Sequence, residues 1–367
     1  MDFLYLNQKK LVENYLYWRQ LAEKNEASLN VVTKFCLSES EFVDVLVKQG
    51  ADTFSDSNIK NFEQFSDEQR KKLQCCVIKT RVSDIKDYGK FAQAQKALGQ
   101  KIPKQKPVRF YLSDEACLKE IKKIPDEFRP QIVLIMECGD YKDGLFQNDI
   151  KKLTEKYCDL PILGVSANFA CLSGKMPDIQ SLHMLCETAL YIQKIRILEK
   201  PFVSVGGTVM HDLLESGKIQ KQKDVFISEV RCGEGIFFGY NSSKGAEIKG
   251  LNNDVFKFAA EIIEIQEKEI PEQKNDGLNA LGQYSLPRPS GKRICAVLDF
   301  GILAAPQSDL FSEDKAIVIV GQTFDFTVAD VTESKKQYHT GDFIYFYINY
   351  SSASFLCMNR FVERKVN

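Results

Sequence analysis

The sequence is poor in histidine, and its cysteines lack the spacing of known metal sites. Its three histidines, His183, His211 and His339, lie far apart along 367 residues. Its eleven cysteines form no C-x-x-C pair and have no zinc-finger spacing. Zinc sites and Ser-His-Asp triads draw on these residue types. The sequence therefore argues against both and predicts no metal site.

An excess of one charge and a long apolar run are also missing. The 49 basic residues balance 50 acidic ones to a net charge of -1, which argues against binding to nucleic acid or an anionic membrane. No apolar run approaches the roughly 18 residues of a membrane span, and the first ten residues do not resemble a signal peptide. Most cysteines, such as Cys138 and Cys295, lie in apolar runs. A reduced, cytoplasmic protein is predicted.

The order of the apolar segments predicts a (β/α)8 TIM barrel. Helical patterns, for example at 83–98 and 179–198, separate short runs that are typical of buried strands. Such alternation favours a barrel over an open doubly wound sheet. The strand-like runs are 29–35, 52–54, 76–81, 108–112, 132–137, 162–165, 202–205 and 228–231.

The pattern changes after about residue 245. Residues 255–270 fit either a strand or a helix, and the polar segment 274–293 is predicted to be a long loop. Several later runs favour β-branched and aromatic residues, which indicates a mostly antiparallel β domain: 294–300, 316–320, 324–331 and 343–350. We therefore predict a barrel domain at 9–245 and a β domain at 246–367, which a strand within residues 1–8 can join.

The stretch LNVVTKF at 29–35 contains the most reactive candidate. Lys34 follows a short apolar strand, and residues at the carboxyl ends of barrel strands face the active-site mouth. A lysine there is costly to desolvate unless it is used, for instance as a Schiff-base amine. A surface lysine that closes a strand explains the same spacing.

Two glycine-rich stretches lie at the ends of later strands. In EVRCGEGIFFGY, residues 229–240, Arg231 ends a strand, and the glycines after it allow close approach of backbone to a ligand. In VSVGGTVM, residues 203–210, Thr208 can cap a helix or bind phosphate. Backbone N–H groups in such turns bind anions, although tight turns and a helix cap account for both stretches equally well.

These motifs together resemble the pyridoxal 5'-phosphate (PLP)-dependent alanine and ornithine racemases, and most closely the ornithine racemase branch. In that family the lysine after the first strand carries the cofactor, and a G-x-x-x-x-x-D-S-x-x-x-N segment follows the next strand, as residues 50–61 do here. An R-x-G-E-x-x-x-x-G run binds the pyridine nitrogen through its arginine and the phosphate through backbone N–H groups. The resemblance thus implies that the cofactor is bound by Lys34, Arg231, Gly233, Glu234, Gly235 and Ile236.

The stretch at 203–210 resembles the racemase G-G-N-S segment. Thr208 and Val209 replace its asparagine and serine. The resemblance still implies that Gly207 and Thr208 contact the cofactor phosphate.

Four further positions match residues near the cofactor in this family. Asn168 stands where alanine racemases carry a histidine and ornithine racemases an asparagine. Lys142 replaces a family arginine, Arg81 matches an arginine of the third strand, and Tyr350 lies in a segment that resembles the closing part of ornithine racemases. Their simpler explanations are a loop asparagine, a solvated lysine, a strand-end charge and a packed strand tyrosine.

The resemblance implies a racemase that interconverts the L- and D-forms of a free amino acid of alanine or ornithine type, through an internal aldimine on Lys34. In alanine racemases a tyrosine from the partner subunit is the second proton carrier, which implies a homodimer whose β domain completes the partner's site. Ornithine racemases carry polar residues after the glycine that matches Gly301, whereas residues 302–304 here are Ile, Leu and Ala. Tyr284 and Tyr350 remain candidates for the second carrier.

Two alternatives use the same cofactor. One is a PLP-binding protein with weak or no racemase activity, although the single-domain proteins of that kind lack a β domain. The other is a lyase of D-threonine aldolase or D-serine dehydratase type. Those relatives hold a metal through an H-x-C or H-x-D motif, and the only histidine of this β domain is His339.

Overall fold

The computed structural model of the chain describes residues 2–97, 106–272, 277–279, 281–282 and 290–367. It divides into two compact units. The barrel unit is Val12–Asn253, and the β unit is Met1–Leu11 with Asp254–Asn367. Most of the predicted loop at 274–293, including Tyr284, lies outside the described residues.

The regular elements of the described residues follow in chain order. The strands are β1 Asp2–Leu6, β2 Ser28–Val32, β3 Thr53–Asp56, β4 Gln74–Val77, β5 Arg109–Leu112, β6 Gln131–Ile135, β7 Ile162–Asn168, β8 Val203–Gly206, β9 Glu229–Cys232, β10 Tyr240–Asn241, β11 Ala246–Glu247, β12 Phe256–Ile270, β13 Gly291–Leu298, β14 Leu310–Ser312, β15 Val318–Gln322, β16 Thr327–Asp330, β17 Phe343–Ile348 and β18 Val362–Val366. The helices are α1 Gln8–Lys24, α2 Ser40–Val47, α3 Asp67–Lys72, α4 Val82–Ala97, α5 Glu115–Ile121, α6 Gln147–Lys156, α7 Ile179–Arg196, α8 His211–Glu215, α9 Glu234–Phe238 and α10 Tyr350–Met358.

Strands β2 to β9 form the closed parallel barrel that the sequence predicts. Each strand pairs with the next, and β9 returns to β2, where Asn30 lies opposite Arg231. Part of the barrel packs through apolar and small side chains, for example Val133 and Ile135 beside Cys76 and Tyr111. Other strands carry buried polar residues, such as Glu229 and Arg231 on β9.

The third barrel strand is shorter than predicted. It ends at Val77 rather than at residue 81, because Arg81 belongs to the turn that begins α4. The backbone N–H of Arg81 donates to the Asp84 carboxylate at 2.9 Å, which satisfies a donor at the start of the helix. The prediction that Arg81 closes a strand is therefore wrong.

The β unit is mostly antiparallel, as predicted. Its long strand β12, which the sequence left open between strand and helix, pairs with β1, β13 and β17, while β1 also pairs in parallel with β18. The predicted strand 343–350 ends at Ile348. Asn349 then caps α10 by accepting from Ser352 N at 3.2 Å, so Tyr350 begins a helix and is not the packed strand tyrosine of the prediction.

Within the described ranges, no helix combines the length and the apolar character needed to cross a membrane.

Candidate functional site

Most of the predicted site residues lie at one end of the barrel. Because the eight strands are parallel, the residues at their carboxyl ends meet at the same rim. The residues at or just after these ends are Lys34 after β2, Lys142 after β6, Asn168 in β7, Gly207 and Thr208 after β8, and Arg231 with Gly233, Glu234, Gly235 and Ile236 at the end of β9. Tyr350 lies in the β unit.

Lys34 has an exposed side chain on an otherwise buried turn. It begins the short 3-10 segment Lys34–Cys36, in which Phe35 and Cys36 are each 1% exposed. Its amine forms no hydrogen bond or ion pair with any residue in the described part of the chain. The amine is therefore accessible while the backbone that carries it is anchored by packing.

Arg231 is a buried cation whose direct partners are all neutral. It is 3% exposed, and its Nη2 donates to Asn168 Oδ1 at 2.9 Å and to the Ala167 carbonyl at 3.0 Å. Its Nη1 donates to Ser204 Oγ. A guanidinium has five N–H donors, so two of them remain for another acceptor.

A buried carboxylate lies behind Arg231. Glu229 is 1% exposed and accepts from Ser204 Oγ at 2.6 Å, from Arg109 Nη1 at 2.7 Å and from the Tyr111 hydroxyl. Burial and the charge of Glu229 raise the pKa of Tyr111 well above its usual range, so this hydroxyl remains a donor. Pairing and hydrogen bonding make the buried charge tolerable. Ser204 connects this carboxylate to Arg231.

The sequence interpretation missed this network, although a signal for it was present. Arg109 and Tyr111 are two residues apart on one strand, and so are Glu229 and Arg231 on another. Residues two apart face the same side of a strand. Polar residues at such spacing in otherwise apolar barrel strands indicate a polar layer inside the barrel.

The two glycine-rich turns are joined to each other. Gly235 N donates to Thr208 Oγ1 at 2.9 Å. Among the described residues, no acceptor binds the backbone N–H groups of Thr208, Val209 and Glu234. Thr208 and Val209 are buried, and buried N–H groups are normally paired. These free donors fit an anion such as a phosphate.

The backbone N–H of Ile236 has a partner within its own turn. Its backbone N–H donates to the Gly233 carbonyl at 2.9 Å and is therefore already engaged. The Glu234 carboxylate accepts from Ser242 N at 3.2 Å, which ties the turn to the chain beyond α9.

Lys142 and Arg81 differ in how freely their charges are available. Lys142 is exposed, and its Nζ lies 3.6 Å from Asp143 Oδ1. Arg81 forms a two-point contact with Asp84, through Nε at 3.0 Å and Nη2 at 2.8 Å. The guanidinium of Arg81 thus serves the start of α4.

Two curated proteins are similar to the chain over nearly its whole length, although no protein-family model matches it. The ornithine racemase of Acetoanaerobium sticklandii is 25% identical and covers 97% of this chain and 97% of its own. The lysine racemase of Thermotoga maritima is 24% identical and covers 98% of this chain and 97% of its own. These likenesses confirm the resemblance to the racemases that the motifs predict.

Solved alanine racemases share the fold. The enzyme from Corynebacterium glutamicum has a TM-score of 0.69 at 14% identity and covers 100% of this chain and 99% of its own. The one from Bartonella henselae, with covalently bound pyridoxal phosphate, has a TM-score of 0.70 at 14% identity and the same coverage. At this identity the likeness establishes the architecture, a TIM barrel with an antiparallel β unit.

Proposed function

We propose that this chain belongs to the PLP-dependent racemases of the alanine racemase fold and inverts the Cα configuration of a free amino acid. The observation that carries the proposal is an accessible Lys34 amine at the same barrel rim as the buried Arg231 guanidinium. The sequence likeness to two racemases over nearly the whole chain supports it.

The residues at the rim fit PLP in three respects. Lys34 offers an amine for the aldehyde, and Arg231 offers two unused N–H donors for the pyridine nitrogen. The unpaired N–H groups of Thr208, Val209 and Glu234 suit the phosphate. When bound, PLP supplies an electron sink that acidifies the Cα–H bond.

Arg231 and Asn168 orient the ring end of the site. A guanidinium stays protonated at all relevant pH values, so it can only donate, and its acceptor must be an unprotonated nitrogen. Asn168 Oδ1 accepts from Arg231 at 2.9 Å and so limits the rotation of the guanidinium. Lys142 adds positive charge to the rim in place of the family arginine, without the two-point contact of an arginine.

Lys34 is the proton carrier for one face of Cα. Its amine can accept the Cα proton and return it on the same side, but inversion requires a group on the opposite face. We assign that role to a tyrosine of the β unit, and Tyr350 is the candidate that lies within the described residues. The enzyme would then be a homodimer in which the β unit of one subunit completes the site of its partner.

The substrate and the location follow from separate observations. The relatives named for ornithine and lysine favour a basic amino acid over alanine. Buried unpaired thiols such as Cys75 and Cys76 persist in a reducing compartment, so we propose a cytoplasmic enzyme.

Borohydride trapping tests the proposal. Protein incubated with PLP and reduced should carry a pyridoxyl group on Lys34 by peptide mapping, and chiral chromatography should detect racemisation of ornithine or lysine. Lys34→Ala should abolish both, whereas Lys48→Ala, which removes another exposed lysine of the barrel unit, should change neither. Reduction that labels a lysine other than Lys34 refutes the assignment.

A further inference from the structure

The carboxylate of Asp56 is fully buried and surrounded by dipoles. Asp56 ends β3 and is 0% exposed. Its Oδ1 accepts from Ser57 N at 2.5 Å, Asn58 N at 3.3 Å and Asn61 Nδ2 at 2.7 Å, and its Oδ2 accepts from Ser38 Oγ at 2.7 Å. Among the described residues, no lysine or arginine forms an ion pair with it. These hydrogen bonds offset the cost of burying a carboxylate and tie Asp56 to the segments on either side of it.

The side-chain hydrogen bonds of this cluster run in one direction, from donor to acceptor, toward Asp56. An ionised carboxylate only accepts hydrogen bonds, so Ser38 donates its single hydroxyl proton to Asp56. Thr33 Oγ1 lies 2.8 Å from Ser38 Oγ and can only donate in this contact. The single Thr33 hydroxyl proton has a second acceptor, the Ser55 carbonyl at 3.2 Å, which also accepts from Thr33 N at 2.8 Å, and the shorter contact with Ser38 is the stronger of the two. The chain of donors runs from Thr33 through Ser38 to Asp56.

These linked side-chain hydrogen bonds close the turn that carries Lys34. The Thr33 carbonyl accepts from Cys36 N at 3.1 Å and from Ser38 N at 3.3 Å, so backbone and side-chain bonds join the same two positions. Leu37 and Ser38 are both left-handed, with φ of 52° and 56°. Side chains with a Cβ disfavour this conformation, which persists only where surrounding contacts impose it.

The position of the Lys34 amine depends on this turn. The side chain is exposed and has no partner among the described residues, and a lysine has a flexible four-carbon stem. Only the backbone of the turn can then direct it. We propose that Asp56 is a positioning residue that aims Lys34 at the cofactor through Ser38 and Thr33, an inference that rests on the proposed PLP function.

Two measurements, one rate and one affinity, separate a loss of positioning from general damage to the pocket. The first is the rate at which PLP forms its bond to Lys34, followed by borohydride trapping. The second is the affinity for pyridoxamine 5'-phosphate, which has no aldehyde, cannot bond to Lys34 and therefore reports on the pocket alone. Ser38→Ala and Asp56→Ala should slow bonding by about tenfold, the equivalent of one hydrogen bond, with the affinity for pyridoxamine phosphate unchanged.

Asp56→Asn and Ser57→Ala are the matched controls. Asparagine can keep every contact with the donor order reversed, its Nδ2 donating to Ser38, and should bond PLP within about threefold of wild type. Ser57→Ala removes a hydroxyl whose contact with the same carboxylate is 3.4 Å long, and should have no effect.

The outcomes are distinct. If wild type and Ser38→Ala bond PLP equally fast, or if pyridoxamine phosphate binding falls in parallel, the positioning role is refuted while the proposed function stands. Equal losses in Asp56→Asn and Asp56→Ala would assign the effect to charge and refute the hydroxyl chain. A wild-type protein that forms no bond to PLP at Lys34 would refute the proposed function and this inference together.

Discussion

The guanidinium of Arg231 packs so closely against Gly206 that there is no room for a methyl group on this glycine. An ideal Cβ on Gly206 would lie 2.5 Å from Arg231 Nη2 and 2.6 Å from Asn168 Oδ1. Real Cβ atoms are essentially never found at such distances from another heavy atom. The missing side chain at the end of β8 therefore leaves room for the contact between Arg231 and Asn168.

Gly206→Ala should weaken cofactor binding. The new methyl group displaces the guanidinium and breaks its bond to Asn168, which we expect to lower PLP affinity by about tenfold or more. Titration of the apoprotein followed by absorbance measures this. Gly321→Ala is the control, because nothing lies within 4 Å of a Cβ there. Equal affinities in the two variants would contradict the close contact at Gly206.

Glu229→Gln should destabilise the barrel unit. Removing one member of a buried ion pair leaves the Arg109 charge uncompensated, and we expect the free energy of unfolding to fall by about 3 kcal/mol. Urea unfolding of both proteins gives this difference. Glu68→Gln, which breaks an exposed pair with Lys72, should leave the unfolding midpoint unchanged. A midpoint for Glu229→Gln that equals wild type would be inconsistent with a buried charge network.

Tyr350→Phe should separate proton exchange from inversion. If Tyr350 is the second carrier, its loss should slow racemisation by about a hundredfold, while one enantiomer still exchanges its Cα proton through Lys34. The measurement compares deuterium uptake with loss of optical activity in deuterated water. Tyr338→Phe, in the same unit, should leave both rates unchanged. Parallel loss of exchange and inversion in Tyr350→Phe would refute this role.

Asp2→Asn should stabilise the β unit at neutral pH and not in acid. Burial raises the pKa of Asp2 to about 6, although Glu261 N donates to its Oδ1 at 3.0 Å. A raised pKa means that the folded state prefers the protonated form of Asp2. The free energy of unfolding is therefore highest below about pH 4 and falls as the pH rises to about 6. Asparagine stays neutral, and should add roughly 1–3 kcal/mol to the free energy of unfolding at about pH 7.5.

Urea unfolding at about pH 4 and about pH 7.5 tests this sign. The two proteins should be equally stable in acid and differ at the higher pH. A constant difference at both values would mean that the Asp2 carboxyl does not titrate in this range.

The errors in the sequence interpretation came from polar side chains that terminate elements. The run 76–81 resembles a strand to its end, yet Asp84 captures the backbone of Arg81 and starts a helix. The run 343–350 is equally continuous, but Asn349 caps α10 before Tyr350. Caps are local hydrogen bonds that compete with strand pairing, and the pattern of apolar residues does not reveal them.

The sequence by itself determined the alternation of strands and helices and the position of Lys34 just after the first barrel strand. Both follow from local patterns of apolar and polar residues, which the closed barrel of β2 to β9 preserves. Only the tertiary structure decided which polar groups meet. Arg109 reaches Glu229 across 120 positions of sequence, and Ser38 reaches Asp56 across 18. Such pairs depend on strand register and on barrel closure, which are properties of the whole sheet rather than of any segment.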